Sequence, residues 1–315
     1  MATKRLFLFA GYDQDGIIDN TLVHYLASLS KLGDVILVMD CDVPESEMQK
    51  LSGISNMLHA SGVRHGEYDF GSYKRAYQYA HKNDLLSKYD WIYLCNDSVY
   101  GPLYDILPIL TDLESRGVDL TGMIDFENKW TPPQVQSWFV GISRRVATAD
   151  FIYNFMNSVC PQSDKQLIVL KYEVGLTRQI LQHGYKMSTF ISGENGDIVH
   201  SMYHKPLNML KCGIPFVKKA GLENLFGLQY LYPYTTDVLV DDIYHNAVRC
   251  GIPFASQSSS RNANYTKAYR LTILSIPLIT IKRLQHEGSH QTCYKVYLFD
   301  VLPVSKVFRR LNDNN

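Results

Sequence analysis

The feature that most constrains the fold is an alternation of short apolar runs with segments of helical spacing near the start of the chain. Residues 6–10, 35–39 and 91–94 are runs of strand-forming residues, typical of strands buried on both faces. Between the first two runs, residues 19–31 repeat Leu and Tyr at the i, i+3, i+4, i+7 spacing of one helix face. Strands separated by helices indicate an α/β fold, in which right-handed crossovers build a mostly parallel central sheet flanked by helices.

The pattern continues as far as a polar linker. Further helices are expected at residues 44–51, 71–81, 147–159 and 172–183, and further strands at residues 55–58, 120–125 and 136–142. Residues 257–264 read QSSSRNAN, a composition typical of a linker. We therefore expect an α/β domain over residues 1–256 and a basic, partly apolar segment over residues 257–315 that forms a C-terminal helical appendage.

Composition excludes several classes of protein. The chain has 31 basic and 31 acidic residues, so nothing in its overall charge indicates a nucleic-acid partner. Its six cysteines form no CxxC pair, which argues against a zinc or redox-dithiol site and for a reducing compartment. No apolar run approaches the length of about 18 residues that a spanning helix requires. These observations predict a cytoplasmic protein.

Acidic residues follow three of the predicted strands. Asp13 and Asp15 follow the strand predicted at residues 6–10, and Asp40 and Asp42 follow the strand at residues 35–39. Asp97 follows the strand predicted at residues 91–94. Because parallel strands end at one edge of the sheet, these carboxylates should converge in the crevice where open α/β sheets bind ligands. Alternatively, each of them caps a helix or closes a turn.

Asp97 is the strongest single candidate among these carboxylates. It follows a strongly apolar strand within the tripeptide Asn96-Asp97-Ser98 and precedes a Gly-Pro turn. A hard cation that bridges a diphosphate needs only one or two carboxylates, so the tripeptide predicts a phosphate site with a divalent cation, Mg or Mn. The alternative role for Asp97 is that of an Asx-turn acceptor.

A second candidate element is the glycine-containing turn at residues 69–72. Asp69 or Ser72 is expected to cap the helix that begins at Gly71, with Lys74 and Arg75 in its first turn. Cations at a helix N-terminus are disfavoured by the helix dipole. Their presence here therefore favours an anion, such as a phosphate, that binds nearby. The alternative is two solvated side chains on an exposed helix face.

Further along, single residues suit other roles in such a site. Glu173 lies at a predicted helix start, where it either interacts with the dipole or acts as a general base. His200 and His204 are spaced for one helix face but lack the HExxH glutamate, so zinc is not expected, although either could contact a phosphate or another metal. The Trp130 and Trp138 rings would either stack on sugars or pack in the core.

Five segments together resemble the rhamnan synthesis protein F family of glycosyltransferases. These segments are YDFGSYKRA, LCNDSVYGP, VQSWFVGIS, YEVGLT and HSMYHKPLNMLKCGIPFVKK, and the resemblance runs from about Arg5 to Gly251. It implies a Rossmann-like fold of the glycosyltransferase A (GT-A) type and a nucleotide-sugar-dependent enzyme. Such an enzyme would build a rhamnose-containing or related cell-surface polysaccharide.

The resemblance also assigns roles to individual residues. Asn96 and Asp97 take the place of the family's metal- and diphosphate-binding motif, with one carboxylate where two are usual, and His200 or His204 is a further candidate metal ligand. Glu173 takes the position of the catalytic base of an inverting enzyme. The expected acceptor residues are Trp130, Gln136 and Trp138. The expected nucleotide-sugar-binding residues are Gly11, Tyr12, Asp40, Asp69, Gly71, Lys74, Asn96 and Asp97.

The resulting hypothesis is a glycosyltransferase that uses a nucleotide-sugar donor and a polysaccharide or lipid-linked glycan acceptor. The incomplete acidic motif leaves an alternative, a nucleotide-sugar-binding scaffold subunit without catalytic activity. From Arg261 onward, nine Lys/Arg stand against three Asp/Glu. Residues 264–310 are therefore expected either to contact the inner face of the cytoplasmic membrane or to pack as a helical hairpin.

Overall fold

The computed structural model describes residues 3–128, 131–192, 202–225 and 227–254, together with four strands of the C-terminal segment. The chain divides into two compact units, Met1–Phe254 and Ala255–Asn315. The larger unit contains every residue of the candidate site that the structure describes. It is built around one sheet with helices on both faces.

The strands of the larger unit are β1 (Arg5–Gly11), β2 (Asp34–Met39), β3 (Met57–Gly62), β4 (Trp91–Asn96), β5 (Val99–Tyr100), β6 (Leu120–Asn128), β7 (Thr131–Val135), β8 (Phe139–Ser143), β9 (Met187–Ile191) and β10 (Val217–Lys218). The central sheet has the order β3-β2-β1-β4-β8-β6-β7, and β9 pairs with β6. Pairing is parallel from β3 to β4 and between β6 and β9, and antiparallel around β8 and between β6 and β7. The predicted parallel sheet is confirmed, with an antiparallel insertion.

The helices of the larger unit are α1 (Asn20–Ser30), α2 (Glu45–Met48), α3 (Tyr68–Lys82), α4 (Leu107–Ser115), α5 (Arg144–Ala147), α6 (Asp150–Asn157), α7 (Lys165–Ile168), α8 (Val174–Gln182), α9 (Pro206–Lys211) and α10 (Asp237–Arg249). A π-helical turn, Val169–Glu173, joins α7 to α8. One buried cluster packs α1 and α4 on one face of the sheet, and another packs α3, α6 and α8 on the opposite face. The sheet therefore has a core on each side, which explains its continuous apolar strands.

Two predicted boundaries were wrong. Helix α3 begins at Tyr68, so Asp69 and Ser72 lie inside its first turns and neither side chain caps it. The strand expected at residues 136–142 begins at Phe139, and the residues just before it, Thr131–Val135, form β7, which pairs with β6. In the second case, strand pairing in the tertiary fold overrode the local turn signals.

The smaller unit contains strands where helices were expected. Its described strands, β11 (Ala263–Ile273), β12 (Ile276–His286), β13 (Gln291–Leu298) and β14 (Leu302–Arg310), form an antiparallel sheet in chain order. The prediction of a helical appendage is therefore wrong. The apolar run at residues 271–281 is divided between β11 and β12, which pair as neighbours. Within the described part of the chain, no helix has the length and apolar character needed to cross a bilayer.

Candidate functional site

The carboxyl ends of β1, β2 and β4 meet at one edge of the sheet, as predicted for parallel neighbours. Tyr12, Asp40 and Asp97 follow these strands, and all three line one cavity of about 570 Å³, here called the first cavity. Its remaining lining residues are Arg64, Gly66, Tyr68, Asp69, Phe70, Gln162, Ile168, Val169 and Glu173. The cavity thus brings together residues that are up to 161 positions apart in the chain, from Tyr12 to Glu173.

Asp40 joins the end of β2 to the start of α3. Its Oδ1 accepts hydrogen bonds from the backbone N–H of His65 (2.8 Å) and Gly66 (2.7 Å), and its Oδ2 accepts one from Tyr68 (3.1 Å). Burial would raise the pKa of Asp40, but the hydrogen bonds from Gly66 and His65 outweigh it, so the pKa lies below the usual value. Asp40 is therefore an ionised anchor for this wall of the cavity.

Asn96 and Asp69 connect β4 to the first turn of α3. The Asn96 Nδ2 donates to Asp69 Oδ2 at 2.8 Å, while the Asn96 Oδ1 accepts from the backbone N–H of Ser98 at 3.1 Å. Because Asn96 is buried, this amide positions Asp69 rather than facing the cavity itself. An asparagine suits this role, since it donates to a carboxylate and accepts from a turn with the same side chain.

Asp97 lies at the tip of the same turn and has a cationic neighbour. Its Oδ2 accepts the N–H of Tyr12 at 3.2 Å and lies 3.8 Å from Lys219 Nζ. Burial raises the pKa of Asp97, and the Lys219 charge opposes that rise. Lys219 lies beside Asp97 because β10, which ends just before Lys219, pairs with β5, which follows the turn at residues 96–98. The backbone N–H of Lys219 also donates to the Ser98 carbonyl oxygen at 3.0 Å.

Glu173 lines the first cavity from the end of the π-helical turn. Its Oε2 accepts a hydrogen bond from Ser137 Oγ at 2.7 Å. Such turns insert one extra residue into a helix and occur frequently at functional sites. The half-buried carboxylate of Glu173 and the carboxylate of Asp97 line the same cavity.

A second cavity, of about 370 Å³, adjoins the first at Tyr12 and Asp97. Its walls come from the loop after β1, from α1, and from the segment around Arg249 and Cys250 at the end of α10. Arg249 lies within ion-pair distance of Asp13, Asp15 and Asp19. Its side-chain hydrogen bond with Asp13 is the main reason that the pKa of Arg249 is raised.

Several predicted site residues lie elsewhere. Lys74 lines neither cavity; its Nζ donates to Val159 O at 2.7 Å and pairs with Glu67 at 3.8 Å. Gly71 is buried, and an added Cβ there would lie 2.2 Å from Glu67 Cβ, so this glycine permits close packing. Gly11 ends β1 under the side chain of Met39.

Of the predicted acceptor residues, Gln136 and Trp138 line neither cavity. Trp138 is only 1% exposed and packs against Phe139 and Phe216, so the prediction that its ring borders an acceptor is wrong. Gln136 is half-buried, and its N–H donates to Ile124 O at 2.9 Å. Trp130 lies outside the described residues.

The residues present at Asp97 do not fit a resident metal site. Asp97 is a single carboxylate that already accepts a backbone N–H and pairs with Lys219. Across the described ranges, no three His, Cys, Asp or Glu side chains are grouped as metal ligands. His204 is exposed and lines neither cavity, and His200 lies outside the described residues.

Sequence reasoning missed four residues that the structure places at the two cavities. Arg64 lies 3.8 Å from Asp40 and over the Tyr12 ring, and Tyr25 lines the second cavity. Lys219 ends the PFVKK segment, where two adjacent lysines after an apolar run were the available signal. Arg249 had no signal, because nothing local indicates that α10 ends beside the loop after β1.

The mixed, mostly parallel sheet, with a cavity at the carboxyl ends of β1, β2 and β4, defines an α/β protein with a candidate ligand site at the usual edge of the sheet. The family model described as rhamnan synthesis protein F matches residues 35–295, more than half of the chain. The chain therefore belongs to the rhamnan synthesis protein F family, and the predicted resemblance is confirmed. A comparison with curated proteins gave no match.

Solved structures of three glycosyltransferases are similar at low identity. The mannosyltransferase Ktr4p from S. cerevisiae in complex with GDP is 8% identical, with 48% of this chain and 60% of that chain covered and a TM-score of 0.33. Core-mannan synthase A from Aspergillus fumigatus, in its Mn/GDP form, is 10% identical, with 49% and 63% covered and a TM-score of 0.29. The glycosyltransferase GlyE from Streptococcus pneumoniae TIGR4 is 13% identical, with 81% and 66% covered and a TM-score of 0.41. The chain spans less than two thirds of each of these chains.

Proposed function

We propose that the protein transfers a sugar from a nucleoside-diphosphate sugar, bound in the first cavity, to a carbohydrate acceptor. One observation carries this proposal. Tyr12, Asp40, Asp69, Asp97 and Glu173 come from separate segments, yet all of them line one cavity at the carboxyl edge of the sheet. Open α/β sheets bind nucleotides at this edge, and a cavity of about 570 Å³ is within the usual range for a ligand of this size.

The cavity offers distinct surfaces for the parts of such a donor. The exposed Tyr12 ring, with the Arg64 guanidinium 5.3 Å from its centroid, provides a stacking surface and a cation beside Asp40. We assign this side to the nucleoside. We assign the part of the cavity lined by Glu173 to the transferred sugar. The diphosphate then lies near Asp97 at the shared rim, which Lys219 reaches from the second cavity.

We assign the role of general base to Glu173. An acceptor hydroxyl attacks the anomeric carbon and its proton passes to a Glu173 oxygen, while the anomeric C–O bond to the diphosphate breaks and its electron pair leaves with the phosphate oxygen. Ser137 donates to the Glu173 Oε2 and so fixes the orientation of the carboxylate before the acceptor arrives. A single displacement of this kind inverts the anomeric configuration.

The departing diphosphate needs positive charge, and Lys219 supplies it. Its ammonium lies 3.8 Å from Asp97, which holds the cation at the end of β4. The charge is therefore already in position when the diphosphate departs. No step is assigned to a divalent cation, since the donor set at Asp97 is a single occupied carboxylate. Family membership supports rhamnose or a related sugar as the donor sugar, a polysaccharide or lipid-linked glycan as the acceptor, and action at the cytoplasmic side of the membrane.

Glu173→Gln tests the assignment. The amide keeps the hydrogen-bonding shape but cannot take the proton, so transfer should fall by about 100- to 10,000-fold while nucleoside-diphosphate affinity stays within about twofold. Transfer is measured on a panel of nucleotide-sugars, and binding is measured by calorimetry. Glu223→Gln, which changes an exposed glutamate outside both cavities, is the matched control. Near-normal turnover of Glu173→Gln would remove Glu173 from this role.

The single carboxylate at residues 96–98 favours a second candidate, a nucleotide-sugar-binding scaffold without transferase activity. Both candidates require donor binding in the first cavity, but only the enzyme converts a bound donor. Binding of a nucleotide-sugar with neither transfer nor hydrolysis across the panel, with and without Mg²⁺ or Mn²⁺, would establish the scaffold.

A further inference from the structure

We infer that the second cavity binds a sugar unit of the acceptor, so that the acceptor and the donor meet at the shared rim formed by Tyr12 and Asp97. This inference rests on the proposed function and adds a binding site to it. The two cavities have only these two residues in common among their lining residues. A hydroxyl that extends from the second cavity past this rim enters the first cavity, where Glu173 lies.

The polar wall of the second cavity is a fixed array of hydrogen-bond acceptors. Arg249 Nη2 lies 2.6 Å from Asp13 Oδ2 and 3.0 Å from Asp19 Oδ2, and its Nη1 lies 3.7 Å from Asp15 Oδ2. Asp13 Oδ1 also accepts the backbone N–H of Asp15 (2.9 Å) and of Ile17 (3.1 Å). These contacts fix the orientation of the carboxylates. The Asp15 side chain is 59% exposed, so much of its surface remains accessible to ligand hydroxyls.

A buried hydroxyl provides an independent observation at the same place. Tyr25 lines the second cavity and is 2% exposed, yet its Oη has no hydrogen-bond partner among the described residues. The Tyr25 ring packs edge-on against Phe9 and also contacts Phe216. Buried hydroxyls in folded proteins are normally satisfied, and a ligand oxygen in the cavity would satisfy this one.

The charge of the walls selects the class of ligand. Four carboxylates line the second cavity against two cations, namely Asp13, Asp15, Asp19 and Asp97 against Lys219 and Arg249. Ionised carboxylates are strong acceptors for neutral hydroxyls. Apolar side chains of Ile17, Leu22 and Ile252 complete the lining and suit the C–H face of a pyranose. A neutral, hydroxyl-rich sugar fits both surfaces.

Tyr25→Phe tests this site, because the substitution removes only the unpartnered hydroxyl. Methyl rhamnoside, methyl mannoside and methyl glucoside serve as probes, with binding measured by saturation-transfer NMR in the presence of a nucleoside diphosphate. The best-binding glycoside then serves as acceptor in steady-state assays. We expect acceptor KM and glycoside Kd to rise by about 3- to 10-fold, with nucleoside-diphosphate affinity within about twofold of wild type.

Asp15→Asn is the second variant, because its exposed carboxylate can be changed without opening the core. It should weaken glycoside binding by about 10-fold or more, since hydrogen bonds to charged groups are stronger than neutral ones. Tyr230→Phe removes an exposed hydroxyl outside both cavities and should change neither constant.

Three results would overturn the inference. The first is wild-type protein that binds none of the glycosides, and the second is a pair of variants that leave glycoside binding unchanged. The third is a loss of nucleoside-diphosphate affinity in both variants, which would make the second cavity part of the nucleotide site. A different result would contradict the proposed function, namely wild-type protein that neither binds nor converts any nucleotide-sugar. Even in that case, the NMR measurement shows whether the second cavity binds a glycoside.

Discussion

Asp40 is a single carboxylate on which the shape of the first cavity depends. Its oxygens accept backbone hydrogen bonds from His65, Gly66 and Tyr68, which hold the loop after β3 and the start of α3 against β2. We expect Asp40→Asn to lower the free energy of unfolding at neutral pH by about 1–3 kcal/mol, because the amide nitrogen cannot accept such bonds. Chemical denaturation measures the change. Asp84→Asn is the control, since this exposed aspartate has a positive φ that asparagine tolerates.

The pH dependence of that effect has a definite sign. The folded-state pKa of Asp40 is lowered, so its contribution to stability is complete above the unfolded-state value of about 3.9. The contribution is lost as the pH falls through the folded-state pKa. The stability difference between wild type and Asp40→Asn should therefore shrink below about pH 4. A difference that is the same at neutral pH and in acid would contradict the ionised anchor.

Lys219 is the cation that the proposed chemistry places beside the leaving diphosphate. Lys219→Met should weaken nucleoside-diphosphate binding by about 10- to 100-fold, the range expected for a charged hydrogen bond, and leave nucleoside binding unchanged. Calorimetry with a chelator present measures both ligands. Lys219→Arg should restore most of the difference, and Lys211→Met, an exposed lysine at the end of α9, is the control. Diphosphate binding that needs Mg²⁺ or Mn²⁺ and survives Lys219→Met would assign the charge to a metal.

Elements differ in how far the sequence could place them. The convergence of Asp40 and Asp97 was predictable, because apolar runs alternating with helices fix a parallel sheet and its carboxyl edge. Lys219 and Arg249 were not, since they reach that edge only through the pairing of β10 with β5 and the packing of α10 on α1. The C-terminal strands were missed because an apolar run divided between two paired strands has no helical or alternating signature of its own.

At the start of α3, Gly71 is packed closely against neighbouring side chains, which sequence spacing did not indicate. Gly71 was predicted to face the nucleotide, but an added Cβ would lie 2.2 Å from Glu67 Cβ and 2.7 Å from His65 Cε1. We expect Gly71→Ala to destabilise the protein by about 1–3 kcal/mol through overpacking. Thermal and chemical denaturation measure the loss. Gly53→Ala is the matched control, because no atom lies within 4 Å of the added Cβ there. Equal stability of the two variants would refute a packing role for Gly71.

At the scale of the whole molecule, the two cavities and the C-terminal sheet belong to different units. Every lining residue of both cavities lies within Met1–Phe254, while the four C-terminal strands lie within Ala255–Asn315. The sequence gives residues 261–315 a net charge of +6, and these residues belong to the unit that contains the four C-terminal strands. We propose that this basic unit contacts anionic membrane, since each Lys or Arg near such a surface contributes about 1 kcal/mol.

Truncation after Phe254 separates the two roles. The shortened chain retains every lining residue, so its nucleoside-diphosphate affinity should stay within about twofold of the full chain, whereas co-sedimentation with phosphatidylserine vesicles should be lost. Circular dichroism establishes that the truncated chain is folded before either comparison is made. Neutral phosphatidylcholine vesicles are the control, because the attraction is electrostatic and should also weaken at high salt. Vesicle binding that survives truncation would place the membrane contact in the larger unit. Loss of nucleotide binding by the folded, truncated chain would show that the donor site needs the C-terminal sheet.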